Sequence, residues 1–305
     1  MNWIEHESYI EIYPPKEFNF AECLIFLGRS DTEVLHQIKK ESIYKLIKVN
    51  EALILFTVEY SNNCLKVDFP ISSPSIHSRK KVAEYIWEWF DLDQDLVGFY
   101  QMAREDQVLK KLVDKYDGLR IICIPDLFEA LVWAIIGQQI NLTFAYTLKK
   151  RFVEQFGECL TFKGETFWLF PSFEKISSVD VEDLRKLQFT ARKAEYIIGI
   201  AKAMKNGELT KELLLQKQDY QQVHKSLMLL RGIGAWTADY VMMKCLHNPS
   251  SFPIADVGLH HALKNLLGLE RKPTIEEIEQ LAANWQGWQA YATFYLWRSL
   301  YDKYI

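Results

Sequence analysis

The stretch Leu230-Arg231-Gly232-Ile233-Gly234 constrains this chain more than any other. It joins two runs with helical periodicity, Asp219 to Leu230 and Ala235 to Leu246, and the second contains no breaker. Two glycines around one aliphatic residue make a tight turn between helices, because glycine tolerates the positive φ such a turn needs. They also let the backbone come close to another surface. The amides of Gly232, Gly234 and Ala235 should then point outward at the N-terminus of the second helix. Free donors and the helix dipole make that end a small anion site, able to take a phosphate without any lysine. Taken alone, the same residues also fit an ordinary helix–helix turn.

The segment beyond the second helix narrows the choice. Asp256 lies in Phe252-Pro253-Ile254-Ala255-Asp256-Val257-Gly258-Leu259, a segment broken by Pro249 and Pro253 and succeeded by a new helix. The spacing predicts Asp256 at or near a helix N-terminus, facing the mouth of the hairpin. A lone aspartate there is ordinarily a cap.

The rest of the chain reads as α+β. Tyr9 to Tyr13, Ile43 to Val49, Ala52 to Tyr60 and Cys64 to Ile71 are short β-branched and aromatic runs, and Ser61-Asn62-Asn63 is a turn sequence. They predict an N-terminal antiparallel sheet, with a helix from Phe18 to Gly28. From His77 onward the pattern is helical, with Val82, Tyr85, Ile86 and Trp89 on one face. Asp126, Asn141 and Thr274 read as helix caps. We therefore expect an N-terminal α/β domain over 1–95 and a mainly helical body over 96–305, with the hairpin at about 219–246.

Composition excludes several classes. The net charge is −4, which counts mildly against a polyanion binder and suits a site made of backbone amides. Five cysteines, Cys23, Cys64, Cys123, Cys159 and Cys245, are odd in number and at least 36 residues apart. They read as reduced thiols, with no metal site and no iron–sulfur cluster. There is no signal-peptide pattern and no apolar run long enough for a membrane span, so an intracellular, cytoplasmic, nucleoid-associated protein with no membrane partner is expected. Arg79-Lys80-Lys81 reads as a solvated helix face, and His260 and His261 as surface or core histidines.

The pattern LxGIGxWTAxYVxM, then FPxxDxGL, resembles the helix-hairpin-helix DNA glycosylase superfamily, and within it the 3-methyladenine DNA glycosylase II family. The resemblance runs from about Leu119 to Tyr301, taking in IIGQQI at Ile135 to Ile140. It implies a helix-hairpin-helix glycosylase body behind an N-terminal sheet domain, acting as a monomer on double-stranded DNA with a damaged base. The implied reaction is flipping of an alkylated, cationic purine such as 3-methyladenine and hydrolysis of its N-glycosidic bond, leaving an abasic site.

In that reading Asp256 is the catalytic carboxylate, and Trp236, Tyr240 and Trp297 hold the base by stacking and cation–π attraction. Leu24 falls where the family's N-terminal domain lends a pocket aromatic. Gly232, Ile233, Gly234, Ala235 and Thr237 contact DNA, with Gln138 and Gln139 at the wedge that fills the vacated stack. Bifunctional relatives carry a nucleophilic lysine where this chain has Trp236, so no strand cleavage is expected. No cofactor is implied beyond a monovalent cation held by hairpin carbonyls. A glycosylase for uracil or an oxidised purine, and a non-catalytic hairpin module binding DNA, are the alternatives.

Overall fold

A computed structural model describes residues 1–217 and 219–302. Strands β1 (Trp3–Glu5), β2 (Tyr9–Ile12), β3 (His36–Lys39), β4 (Ser42–Val49), β5 (Ala52–Ser61) and β6 (Cys64–Asp68) form one sheet in the order β1-β2-β6-β5-β4-β3. Every neighbouring pair is antiparallel. Asn62 and Asn63 turn β5 into β6 with positive φ values of 52° and 59°, which asparagine accepts more readily than most residues. Side chains alternate as the pleat requires, so Ile10, Ile12, Ile43, Val58, Leu65 and Val67 are fully buried on one face.

Helices α1 (Phe20–Leu27) and α2 (Ile76–Trp89) accompany the sheet. Then come α3 (Val97–Glu105), α4 (Lys110–Lys115), α5 (Leu127–Gly137) and α6 (Leu142–Phe156), and after them strands β7 (Cys159–Phe162) and β8 (Glu165–Trp168). The body continues through α7 (Phe173–Ile176), α8 (Val181–Lys186), α9 (Ala191–Lys205), α10 (Lys211–Leu215), α11 (Tyr220–Met228) and α12 (Ala235–Lys244). It closes with α13 (Val257–Leu267), α14 (Ile275–Leu281), a short 3-10 turn and α15 (Gln289–Ser299). Asp126 and Asn141 cap α5 and α6 as the sequence suggests, and Thr274 with Glu277 forms a reciprocal capping box. Among the described residues no helix is long and apolar enough to cross a membrane.

The apolar interior falls into two main clusters. One unites the sheet, α1 and α2 with residues from α3, α4, α13 and α15. The other is the helical body from Leu127 to Leu246. The chain thus leaves the sheet, builds the body, and returns to complete the first core. Trp297 packs against both clusters, which puts its helix at their seam.

The body is mainly helical as expected, and it also carries a two-stranded ribbon, β7 paired with β8 across Lys163-Gly164, both at positive φ. One expectation needs correction: Arg79 is no solvated residue. It is buried and its guanidinium meets the Glu5 carboxylate at 2.8 Å and the Glu7 carbonyl at 2.9 Å, since the start of α2 docks on the β1–β2 turn. Lys80 and Lys81 do stay exposed, paired with Glu84.

Candidate active site

The hairpin joins α11 to α12 through Gly232-Ile233-Gly234. The two glycines differ in what they do. Gly232 has φ +94°, and a Cβ there would lie 2.3 Å from the Tyr196 ring, so no other residue fits. Gly234 is the N-cap of α12 with φ −95°, and nothing lies within 4 Å of a Cβ placed on it. The positive φ of the turn thus falls on Gly232, while the Gly234 backbone is ordinary and its missing side chain leaves open space. The Ile233 side chain is buried in the body core, and its amide closes the turn on the Leu230 carbonyl at 3.1 Å.

The first helical bond of α12 runs from the Ala238 amide to the Gly234 carbonyl, at 2.9 Å. No side chain caps this end, and among the described residues the amides of Gly234, Ala235 and Trp236 meet no acceptor. Gly234 and Ala235 are exposed. Several aimed donors at the positive end of a helix form an open anion cradle. Thr237 cannot reach out from it with its side chain, because it is only 2% exposed and its hydroxyl accepts from Gln138 Nε2 at 2.9 Å.

Gln138 is accordingly a strut. Its Nε2 also donates to the Gly232 carbonyl at 2.9 Å, tying the end of α5 to the hairpin. Lys193, on α9, donates to the carbonyls of Ile136 and Gln138, both at 2.8 Å. These bonds fix a loop whose next residue, Gln139, is exposed with φ +57°.

Asp256 is the N-cap of α13, and all of its surroundings orient its carboxylate. Oδ1 accepts from the Leu259 amide at 2.8 Å and from Trp297 Nε1 at 2.7 Å. Oδ2 accepts from Trp236 Nε1 at 3.1 Å. The two tryptophans come from α12 and α15, so Asp256 links the hairpin helix to the closing helix. Gly258 makes the arrangement possible, since a Cβ there would meet Asp256 Oδ1 at 2.9 Å and Trp297 Nε1 at 3.4 Å. Asp239 anchors the approach to this loop. Its Oδ1 accepts from the Phe252 amide at 3.3 Å, and the Tyr220 hydroxyl on α11 donates to the same oxygen.

The expected aromatic residues do come together. Tyr240 lies 5.6 Å from Trp236 and 6.1 Å from Trp297, ring centre to ring centre, tilted by 32° and 35°. Those separations are rings in direct contact. The three therefore make one continuous wall, and a base would stack on it instead of between neighbours. Tyr240 is buried while the tryptophans are half-buried, so the exposed faces belong to the indoles. Burial raises the Tyr240 hydroxyl well above its ordinary pKa, and the Arg29 guanidinium is the main opposing influence.

No pattern in the sequence marks Arg29, yet it stands close to this wall. It lies just after α1, packs 4.0 Å over the Phe26 ring and faces Tyr146 at 5.6 Å. The N-terminal unit thus presents a cation beside Tyr240. Leu24, expected in the pocket, is half-buried and packs against the first core, as Trp297 also does. His260 Nε2 donates to the Ile254 carbonyl at 2.8 Å and braces the loop. A cavity of about 530 Å³ lies elsewhere, between β4, the start of α5 and the β7–β8 ribbon, and none of Asp256, Trp236 and Trp297 lines it. Donor chemistry, not cavity size, marks the site.

The chain is similar to known proteins over nearly its whole length. The family described as HhH-GPD superfamily base excision DNA repair protein matches residues 132–287. The family described as 8-oxoguanine DNA glycosylase, N-terminal domain, matches residues 12–131. A DNA-3-methyladenine glycosylase of Bacillus subtilis is 46% identical over 304 residues, covering 99% of this chain and 100% of that protein. Among solved structures, the 3-methyladenine DNA-glycosylase from Archaeoglobus fulgidus superposes with a TM-score of 0.82 at 24% identity, covering 97% of this chain and 98% of that one. The Clostridium acetobutylicum 8-oxoguanine glycosylase/lyase bound to double-stranded DNA superposes with a TM-score of 0.77 at 21% identity, covering 100% and 99%.

Proposed function

Because this chain belongs to the HhH-GPD superfamily of base excision DNA repair proteins, we propose that it is a monofunctional DNA glycosylase that flips alkylated purines such as 3-methyladenine out of duplex DNA and hydrolyses their bond to the sugar. The observation that carries this reading is the Asp256 carboxylate held between two indole N–H groups at the mouth of the hairpin.

The chemistry rests on that clamp. Cleavage of the C1′–N bond sends its electron pair to the departing base and leaves positive charge on the sugar. A base that already carries a positive charge departs as a neutral molecule, so one carboxylate suffices. Asp256 Oδ1 already accepts two hydrogen bonds and Oδ2 only one. Oδ2 is then the oxygen with capacity left to face the sugar cation and take a proton from attacking water. Water adds to C1′, and the product is an abasic site. Trp236 supplies no amine, so the sugar stays off the protein and the strand stays intact.

DNA is gripped by the amides of Gly234, Ala235 and Trp236, a contact that needs no basic surface and suits a net charge of −4. The Gly232 and Leu230 carbonyls each accept one internal hydrogen bond, which leaves each a lone pair. They suit a weakly bound monovalent cation between hairpin and phosphate. Gln139 fills the vacated stack. The protein works inside the cell as a monomer.

Methylated duplex DNA incubated with the protein should yield free 3-methyladenine by chromatography, with no borohydride-trapped protein–DNA complex. Trapping would refute the monofunctional reading, and failure to release any base would refute the function.

A further inference from the structure

Asp91, Cys123 and His247 stand far from one another in sequence and together in space. Asp91 lies just beyond α2, Cys123 in the segment before α5, and His247 just beyond α12. One donor atom from each, and all three of these atoms, lie within 4.8 Å of one another. Asp91 and Cys123 are buried, and His247 is partly open to solvent. None of the three takes part in the glycosylase chemistry above.

We propose that Asp91, Cys123 and His247 bind a divalent ion of the zinc class, with Glu88 and Tyr291 orienting the ligands. Thiolate, imidazole and carboxylate are the donors that zinc prefers. Bond lengths near 2.3 Å to sulfur and 2.0–2.1 Å to nitrogen put those atoms about 3.5 Å apart on a tetrahedral ion. Cys123 Sγ and His247 Nδ1 are 3.5 Å apart. Asp91 Oδ1 is 2.7 Å from the same nitrogen, a hydrogen-bond distance. An ion replacing that proton parts the two atoms by about 0.7 Å.

The surroundings match a metal site in a second way. A ligating histidine ordinarily donates its other ring N–H to a carboxylate, which fixes the tautomer. His247 Nε2 lies 3.2 Å from Glu88 Oε1, and Lys211 in turn holds Glu88. The Tyr291 hydroxyl donates to Asp91 Oδ2 at 2.5 Å, leaving Oδ1 for the ion. Binding forms metal–sulfur, metal–nitrogen and metal–oxygen bonds, breaks the Cys123 S–H and the Nδ1–H, and sends both protons to solvent. A water takes the fourth position through the opening at His247. The ion then staples the end of α2, next to the sheet, to the end of the hairpin helix α12.

The test uses the full chain carrying Cys159→Ser, which removes the exposed thiol. After chelation and dialysis, one equivalent of cobalt(II) should give a sulfur-to-cobalt charge-transfer band together with tetrahedral visible bands. Zinc should bleach both. Adding Cys123→Ser should remove the charge-transfer band. Zinc should raise the melting temperature of the Cys159→Ser protein by several degrees and release about two protons per ion. No charge-transfer band, or a band that survives Cys123→Ser, overturns the proposal. Should Cys123→Ser fail to fold, proton release by the parent chain decides, and the absence of release overturns the proposal.

Discussion

Trp297→Phe separates the two tasks that the structure gives one side chain. Trp297 offers an aromatic face beside Tyr240 and also donates from Nε1 to Asp256 Oδ1 at 2.7 Å. That distance is typical of a charge-assisted bond, worth about 1.5–3 kcal/mol. Phenylalanine keeps a π face and loses the donor. The carboxylate then retains Leu259 on Oδ1 and Trp236 on Oδ2, and can swing about α13. The full loss in the transition state corresponds to about a 10- to 150-fold slower excision. Because the defect lies in the carboxylate, it should be equal for 3-methyladenine and for neutral hypoxanthine. Trp297→Leu also removes the π face and should cost the cationic lesion up to about 2 kcal/mol more than the neutral one. Single-turnover excision from duplexes with one defined lesion measures both, with binding monitored separately. A Trp297→Phe rate within threefold of the parent rate would show that the indole N–H does not hold Asp256 for catalysis. Equal losses on both lesions for Trp297→Leu would show that the ring only fills space.

Two further kinds of perturbation, glycine substitution and pH, probe the scaffold. Gly232→Val forces a Cβ into the Tyr196 ring at a φ of +94° and should cost at least about 1–3 kcal/mol in thermal unfolding. Gly234→Val should leave stability within about 1 kcal/mol yet weaken DNA binding across sequences in a filter or fluorescence assay. Normal binding by a folded Gly234 variant would dismiss the amide cradle. The second concerns pH. Burial pulls the His36 imidazole down to about 4 from an ordinary 6.5, with Lys45 and Lys149 adding to the drop and Glu33 opposing it. The unfolded chain therefore takes a proton between pH 6.5 and 4 that the folded chain refuses. Stability is complete above pH 6.5 and falls by about 2–3 kcal/mol as pH drops toward 4. His36→Phe should flatten that window in denaturant titrations, and an unchanged slope would remove His36 as its cause.

Local chemistry explains what could be read in the sequence. The hairpin, the caps at Asp126, Asn141, Thr274 and Asp256, and the Asn62-Asn63 turn are each decided by residues a few positions apart. The β7–β8 ribbon carries its own signal, Thr161-Phe162 and Thr166-Phe167 around Lys163-Gly164, and the helical pattern on either side hides it. The rest depends on contacts between remote segments. Trp236 and Trp297 stand 20 and 41 residues from Asp256, and only the packing of α12 against α15 turns both indole N–H groups toward it. Arg79 looks solvated in sequence because the β1–β2 turn that buries it is more than 70 residues away. Arg29 and the Asp91–Cys123–His247 cluster are invisible there for the same reason, the latter spanning 156 residues from Asp91 to His247.

Asp256→Asn tests the central claim most directly. The amide keeps an acceptor oxygen for the Leu259 cap and occupies the same volume, so folding and lesion binding should persist. It carries no negative charge to face the sugar cation. Single-turnover release of 3-methyladenine from a duplex bearing one lesion, with the binding constant measured alongside, should show base release lost and affinity nearly unchanged. Excision at a rate close to that of the parent protein would contradict the assignment of Asp256 as the catalytic carboxylate.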